Sequence, residues 1–163
     1  CSLKTAAEPI LAQITTYLKH QNKPLVLIGA SNGARIALYL ELKSRKLKSS
    51  ILTISIAGPH LGTTKIPFRY FYTDEQLYAE LSFQNQSSRT FIKALRAPLP
   101  KNAQRKHIFY GSLDDIQVSP SSSAFPTINQ KEEFYLMQGV DHNGLIQATL
   151  EHQLASYRLW INS

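Results

Sequence analysis

The amino-acid sequence predicts an α/β fold, in which a mostly parallel sheet is flanked by helices. Short apolar runs alternate along the chain with longer segments whose apolar residues recur at helical spacing. The runs are apolar throughout, as is typical of parallel strands that are buried on both faces. Their alternation with helices favours a parallel sheet over an antiparallel one. The length of 163 residues predicts a single domain over residues 1–163.

The first half of the chain supplies two of the predicted strands. Residues 24–29 and 50–57 are apolar runs, and the second is rich in isoleucine. Each run follows a segment with a 3.6-residue apolar period, at 3–19 and 32–42, so both segments are predicted to be amphipathic helices. The stripe of the first helix consists of Leu3, Ala7, Ile10, Leu11, Ile14 and Leu18.

The second half contains an excursion from the sheet and then returns to it. Residues 62–106 begin with an aromatic-rich loop, continue with two predicted helices at 74–82 and 88–96, and close with two prolines. Two further strands are predicted at 107–111 and 133–138, separated by a polar loop. The last helix is predicted at 143–160.

The residues that suggest chemistry begin with Gly29-Ala30-Ser31-Asn32-Gly33, a G-x-S-x-G pentapeptide between a predicted strand and a predicted helix. In that setting the motif predicts a sharp turn that exposes the serine hydroxyl, so Ser31 is the candidate nucleophile. The backbone N–H of Asn32, at the helix start, is a candidate oxyanion donor. Gly29 and Gly33 would let strand and helix approach closely, and a branched side chain at Gly33 is expected to crowd them. A glycine-rich phosphate loop or an ordinary turn is the alternative interpretation.

A serine needs a general base, and the position of His142 selects it from five histidines. His142 lies in the turn between the last strand and the last helix, at the same end of a parallel sheet as the Ser31 turn, where ligands bind. Structural or solvated roles are expected for His20, His107 and His152.

The carboxylate that orients the imidazole is expected in the loop after strand 107–111, which contains Asp114 and Asp115. We favour Asp114, with Asp115 as the alternate. Either choice gives the chain order serine, acid, histidine. Asp141 is predicted to cap the last helix.

Composition excludes few classes of protein. The net charge is +7, and basic residues cluster at 43–48 and 101–106. These clusters are either a solvated face or a surface that attracts anionic lipids or acidic substrates, whereas no motif indicates nucleic-acid binding. A single cysteine, Cys1, rules out an internal disulfide, and no apolar run approaches the ~18 residues that span a bilayer.

The segments VLIGASNGARIALYL, ISIAGPHLGTT, FYGSLDDIQVSPSSSAF and GVDHNGL together resemble α/β-hydrolase lipases and esterases, including the GPI inositol-deacylase-like lipases. The resemblance implies hydrolysis of a carboxylic ester, with a lipid acyl ester or a small-molecule ester as substrate and a role in lipid metabolism. It carries the family's roles to Ser31, to His142 and to Asp114 or Asp115, with no metal and no cofactor. His60, in the P-H-x-G turn, is expected to be structural.

The resemblance also implies that the excursion at 62–106 is a lid or cap. Its apolar side chains would either contact an acyl chain or pack onto the sheet; these are Phe68, Tyr70, Phe71, Tyr72, Leu77 and Tyr78. One departure is that the family places several strands and an oxyanion loop before the serine turn, where this sequence has only a helix. We therefore expect either a missing N-terminal segment that completes the fold or a reduced hydrolase. The alternative function is a catalytically inactive binding or effector module.

Overall fold

The structure, a computed structural model, describes residues 2–21, 23–63, 86–101, 104–123 and 132–163. The predicted helix at 74–82 and the apolar residues that we assigned to the lid lie outside these ranges, namely Phe68, Tyr70, Phe71, Tyr72, Leu77 and Tyr78.

Four parallel strands form one sheet, as the sequence predicts. They are β1 (Leu25–Ala30), β2 (Ile51–Ile56), β3 (Arg105–Ser112) and β4 (Glu132–Met137). Each strand lies beside the one that precedes it in the chain, in the order β1-β2-β3-β4. The register pairs Ala30 with Ile56 and Ile56 with Tyr110, so the strands end at a common edge.

The helices agree with the predicted ones to within a few residues at each end. They are α1 (Leu3–His20), α2 (Asn32–Ser44), α3 (Gln86–Leu95), the short α4 (Pro120–Ser123) and α5 (Leu145–Ile161). A 3₁₀ turn at Arg45–Leu47 follows α2. Of these, α4 is the one that the sequence did not indicate, because its four residues are mostly serine and carry no apolar period.

The two faces of the sheet are covered differently. On one face, α1 and α2 pack over β1 and β2, and a buried apolar cluster joins Ala7, Ile14, Leu27, Leu40 and Ile51. On the other face, α5 packs over β2 and β3 through Leu145 and Trp160. The sheet therefore lies between helical layers, which is the arrangement of an α/β fold.

Part of the predicted lid belongs to the core. Ile92 and Leu95 of α3 are buried against Leu38 of α2 and Phe109 of β3. For this helix the structure therefore supports packing onto the sheet, whereas a lid formed by the rest of 62–106 stays a prediction.

A buried ion network fastens α2 to β3. Both carboxylate oxygens of Glu41 are engaged: Oε1 lies 3.1 Å from Nη1 of Arg105, and Oε2 lies 2.9 Å from Nη2 of Arg45. Burial alone would raise the Glu41 pKa, but hydrogen bonds from His107 and Arg45 outweigh it and lower the pKa to about 2. The charge is thus retained inside the protein because it is paired.

Candidate active site

The candidate residues lie at one edge of the sheet, which we call the rim. Because all four strands are parallel, their carboxyl ends meet there. Ser31 follows β1, Asp114 and Asp115 follow β3, and His142 follows β4. This is the edge at which parallel α/β sheets bind their ligands.

Ser31 occupies a strained backbone conformation. Its φ of 51° and ψ of −128° lie outside the regions that residues with a side chain normally adopt. The N–H of Ser31 donates to the Ile56 carbonyl at 2.8 Å, which anchors the turn to β2. Its hydroxyl makes no capping hydrogen bond to α2. Strain of this kind is concentrated at functional sites, and it fits a strand-to-helix turn that presents a serine.

Of the two glycines, Gly29 is the one that the close approach of strand and helix requires. A Cβ at Gly29 would lie 2.2 Å from the Gly33 carbonyl oxygen, whereas a Cβ at Gly33 would meet no atom within 4 Å. The expectation that a side chain at Gly33 crowds the turn is therefore wrong. The reason is that a Cβ on Gly29 would collide with the backbone of Gly33, whereas a Cβ on Gly33 would point into open space.

His142 is held by Asp115. Nδ1 of His142 lies 2.7 Å from Oδ2 of Asp115, and the two side chains are 9% and 0% exposed. The other Asp115 oxygen accepts from the N–H groups of Gln117 and Val118 at 2.8 and 2.9 Å. Burial would raise the Asp115 pKa, but the hydrogen bonds from His142, Val118 and Gln117 outweigh it and lower the pKa. Asp115 is thus an ionised partner that fixes the orientation of the imidazole.

Asp114, which the sequence favoured as the acid, has a different partner. Its Oδ2 accepts from the Gly139 N–H at 2.6 Å. Gly139 has a φ of +74° and lies in the turn that leads to His142. The preference for Asp114 is therefore corrected in favour of Asp115, because the Asp114 carboxylate is turned towards the backbone of the histidine turn.

The histidine turn packs on the same apolar cluster as the end of β1. β1 and β4 are three strand spacings apart, about 14 Å, so the separation of Ser31 and His142 depends on the turns that follow these strands. Val140 and Leu145, on either side of His142, pack into the core cluster that contains Ile56 and Ala57. Ala30, the residue before Ser31, packs against the same cluster. Asp141 caps the turn, since its Oδ1 accepts from the Gly144 N–H at 2.7 Å.

Asn32 lies at the first position of α2, where helical N–H groups have no carbonyl partner within the helix. Its backbone N–H is therefore placed at the positive end of α2. Its side-chain Oδ1 is buried and makes no hydrogen bond within the described residues.

Within the described residues, none of the remaining histidines combines a position at the rim with a carboxylate partner. His60 is fully buried and its Nε2 lies 2.6 Å from the Ser55 hydroxyl. Burial, helped by the positive charge of Arg35, lowers the His60 pKa to about 3, so the ring is neutral. His107 lies against Glu41, His152 lies 2.8 Å from the Tyr110 hydroxyl, and His20 is exposed on α1.

The sequence did not indicate that the loop after β3, which contains Asp114 and Asp115, is fastened to the turn after β2. The Ser122 hydroxyl accepts from the Leu61 N–H at 3.0 Å and donates to the Gly62 carbonyl at 2.7 Å. Thr63 adds a hydrogen bond to the Gln117 carbonyl. These contacts hold the loop that positions Asp115. Its serine run, SPSSS, could have suggested such local hydrogen bonding.

The described ranges contain no group of three or more His, Cys, Asp or Glu side chains placed to hold a metal ion. Within the same ranges, none of the helices combines the length and apolar character needed to cross a bilayer.

The parallel sheet and its flanking helices form an α/β-hydrolase-like fold. The chain is similar in structure to lipase BlEst2 of Bacillus licheniformis in its mature form, with a TM-score of 0.55 and 13% sequence identity. The similarity covers 97% of this chain and 74% of the lipase. No protein-family model and no curated protein sequence matches the chain. At this identity the similarity concerns the fold.

Proposed function

We propose that this protein is a serine hydrolase that cleaves carboxylic esters, with Ser31 as nucleophile, His142 as general base and Asp115 as the orienting carboxylate. The observation that carries the proposal is the 2.7 Å contact between His142 and a buried carboxylate, at the rim where Ser31 has a strained turn. The fold of a lipase, BlEst2, supports an ester as the substrate.

The proposed mechanism assigns one role to each of these groups. His142 accepts the Ser31 hydroxyl proton on the ring nitrogen that does not contact Asp115, and Oγ forms a bond to the ester carbonyl carbon. The Asn32 N–H stabilises the oxyanion. The ester C–O bond breaks, the alcohol leaves with the proton from His142, and an acyl-enzyme remains. A water molecule then gives its proton to His142 and attacks the acyl carbon, which releases the acid and returns the proton to Ser31.

An acyl ester of a lipid is the substrate class that the rim favours. Leu113 and Ile116 flank the two aspartates and are 57% and 72% exposed. Apolar side chains beside a polar catalytic group are typical of sites for apolar ligands. The motif ISIAGPHLGTT, which resembles the GPI inositol-deacylase-like lipases, supports the same branch of hydrolases.

The test is labelling by a fluorophosphonate probe together with hydrolysis of a short-chain p-nitrophenyl ester. We expect Ser31→Ala and His142→Ala to abolish labelling and to lower kcat/KM by on the order of 10⁴–10⁶. Ser121→Ala and His20→Ala remove exposed residues and serve as matched controls with full activity. A folded wild type that neither labels nor turns over ester would instead support the binding or effector module.

A further inference from the structure

The strands β3 and β4 separate just before the loops that carry Asp115 and His142. Their last register pair is Ser112 with Met137, and the Leu113 N–H donates to the Met137 carbonyl at 2.9 Å. Beyond this pair, the chain after β3 forms the loop that contains Asp115, which we call the acid loop. The chain after β4 forms the histidine turn. The alignment of the acid loop with the histidine turn therefore depends on the contacts that these two segments make with each other.

The hydroxyl of Ser112 joins the acid loop to the histidine turn. Its oxygen accepts from the Asp114 N–H at 3.1 Å, and its proton is donated to the Val140 carbonyl at 2.5 Å. Asp114 is the residue before Asp115. Val140 lies two residues before His142. Ser112 is fully buried, and a hydroxyl can donate and accept at once, so this one serves a backbone group on each side.

The described serines further along the acid loop make their contacts elsewhere. The hydroxyls of Ser119 and Ser121 lie 3.0 Å apart, and Ser123 donates to the Ser119 carbonyl. Ser122 is hydrogen-bonded to the turn after β2. Among the described serines of this region, Ser112 is thus the one whose hydroxyl reaches the histidine turn.

We propose that Ser112 is a positioning residue of the hydrolase, whose buried hydroxyl sets the distance between the Asp115 carboxylate and the His142 imidazole. This inference rests on the proposed function. The hydroxyl acts through the 2.7 Å contact of Nδ1 with Oδ2, because it holds the backbone on both sides of that contact. Without it, the acid loop and the histidine turn can move apart. A displacement of about 1 Å at a catalytic group can lower turnover by about 10²-fold.

A matched pair of variants separates this role from a contribution to stability. Ser112→Ala removes the hydroxyl at the rim. Ser44→Ala removes a hydroxyl that is equally buried at the other end of the sheet, where it donates to the Glu41 carbonyl and accepts from Arg105. We expect both variants to melt at a lower Tm than wild type. Only Ser112→Ala should lower kcat for a p-nitrophenyl ester, by about 10–100-fold, with KM changed by less than about twofold.

A double-mutant cycle tests whether Ser112 acts through Asp115. In an Asp115→Asn background the orienting carboxylate is already lost, so Ser112→Ala should lower the residual kcat by less than about twofold. A loss of the same size in both backgrounds would overturn the proposal, since a purely structural role costs the same in each. So would a Ser112→Ala enzyme with the kcat of wild type.

Proton NMR provides a measurement that does not depend on ester hydrolysis. The Nδ1 proton of His142, held in a charge-assisted hydrogen bond to Asp115, should give a downfield resonance that Asp115→Asn removes. We expect this resonance in wild type and in Ser44→Ala, and we expect it to weaken or disappear in Ser112→Ala. An unchanged resonance in Ser112→Ala would overturn the proposal. A wild type that shows this pattern but hydrolyses no ester would refute the proposed function alone.

A second variant covers the case in which Ser112→Ala does not fold. Ser112→Cys retains a side chain of similar shape but replaces the hydroxyl by a weak donor. We expect it to fold and to lose kcat in the wild-type background but not in the Asp115→Asn background. Failure of both variants to fold would assign Ser112 a structural role and would overturn the proposal.

Discussion

At the scale of single residues, the two neighbouring carboxylates after β3 differ in their hydrogen-bond partners. Asp115 contacts the imidazole of His142, and Asp114 contacts the Gly139 N–H in the turn that carries that imidazole. One orients the ring directly, and the other holds the backbone on which the ring is mounted.

This division predicts different effects for the same substitution. Asp115→Asn should lower kcat by about 10⁴, because an amide favours the wrong tautomer of the histidine. Asp114→Asn should lower kcat by less than about tenfold, since the amide oxygen can still accept from Gly139. Steady-state hydrolysis of a p-nitrophenyl ester measures both. A larger loss in Asp114→Asn than in Asp115→Asn would contradict the assignment.

His60 gives a prediction about stability and pH. Its pKa is lowered from 6.5 to about 3 in the folded protein, so the unfolded chain binds a proton first as the pH falls. The contribution of neutral His60 to the free energy of unfolding is complete above pH 6.5 and is lost progressively as the pH falls towards 3. Between pH 7 and pH 5 the loss is about 2 kcal/mol.

Urea unfolding at pH 7 and pH 5 checks this value. Between pH 7 and pH 5, the free energy of unfolding should fall by about 2 kcal/mol less in His60→Gln than in wild type. The His60 ring packs edge-on against Phe109, and the cost of losing this contact is the same at both pH values. Comparing the two pH values within each protein therefore removes that cost. An identical pH dependence in both proteins would mean that folding does not lower the His60 pKa.

At the scale of elements, the junction of β1 with α2 depends on one glycine. Gly29→Ala places a methyl group 2.2 Å from the Gly33 carbonyl oxygen, and we expect it to prevent folding. Gly33→Ala meets no atom within 4 Å and should raise the Tm by about 2–4 °C, because alanine is favoured over glycine in a helix by about 1 kcal/mol. Circular dichroism melting compares the two. A Gly29→Ala protein as stable as wild type would refute this account of the junction.

The elements themselves were largely predictable, because each has a clear apolar period or an apolar run. Ser31 was predicted from the G-x-S-x-G motif, and His142 from topology, since parallel strands bring their following turns to one edge. The choice between Asp114 and Asp115 was not predictable, because identical neighbouring side chains differ only in the N–H groups that face them. The tolerance at Gly33 was missed because the direction of a Cβ depends on how α2 crosses β1. The buried position of Glu41 was not predictable either. Glu41 lies in a predicted amphipathic helix, and its burial depends on Arg105, which is distant in sequence.

At the scale of the whole molecule, the basic residues are divided between internal and external roles. Arg45 and Arg105 neutralise the buried charge of Glu41. Nζ of Lys106 lies 2.5 Å from Oε1 of Glu133. Lys46 and Lys48 are exposed just before β2, at the end of the sheet opposite the rim. If the protein attracts an anionic membrane through this cluster, the membrane contacts the end that does not carry Ser31.

This separation predicts that membrane binding and ester hydrolysis can be changed independently. Replacing Lys46 and Lys48 by Gln should weaken sedimentation with phosphatidylserine vesicles by about 30-fold, at about 1 kcal/mol for each lysine. Hydrolysis of a soluble short-chain ester should be unchanged. The matched control replaces Lys4 and Lys93, which are exposed on α1 and α3, by Gln. Equal weakening in both double variants would attribute the attraction to net charge alone.

The order of the strands has a consequence for synthesis. Because every strand neighbours the one made before it, a chain leaving the ribosome can extend the sheet in one direction without rearranging earlier pairs. The serine turn is then built early, whereas the imidazole arrives only once β4 has joined β3. Under the proposed function, a nascent chain would therefore carry an inert hydroxyl until translation has passed position 142, and the reactive arrangement would appear in a single late step.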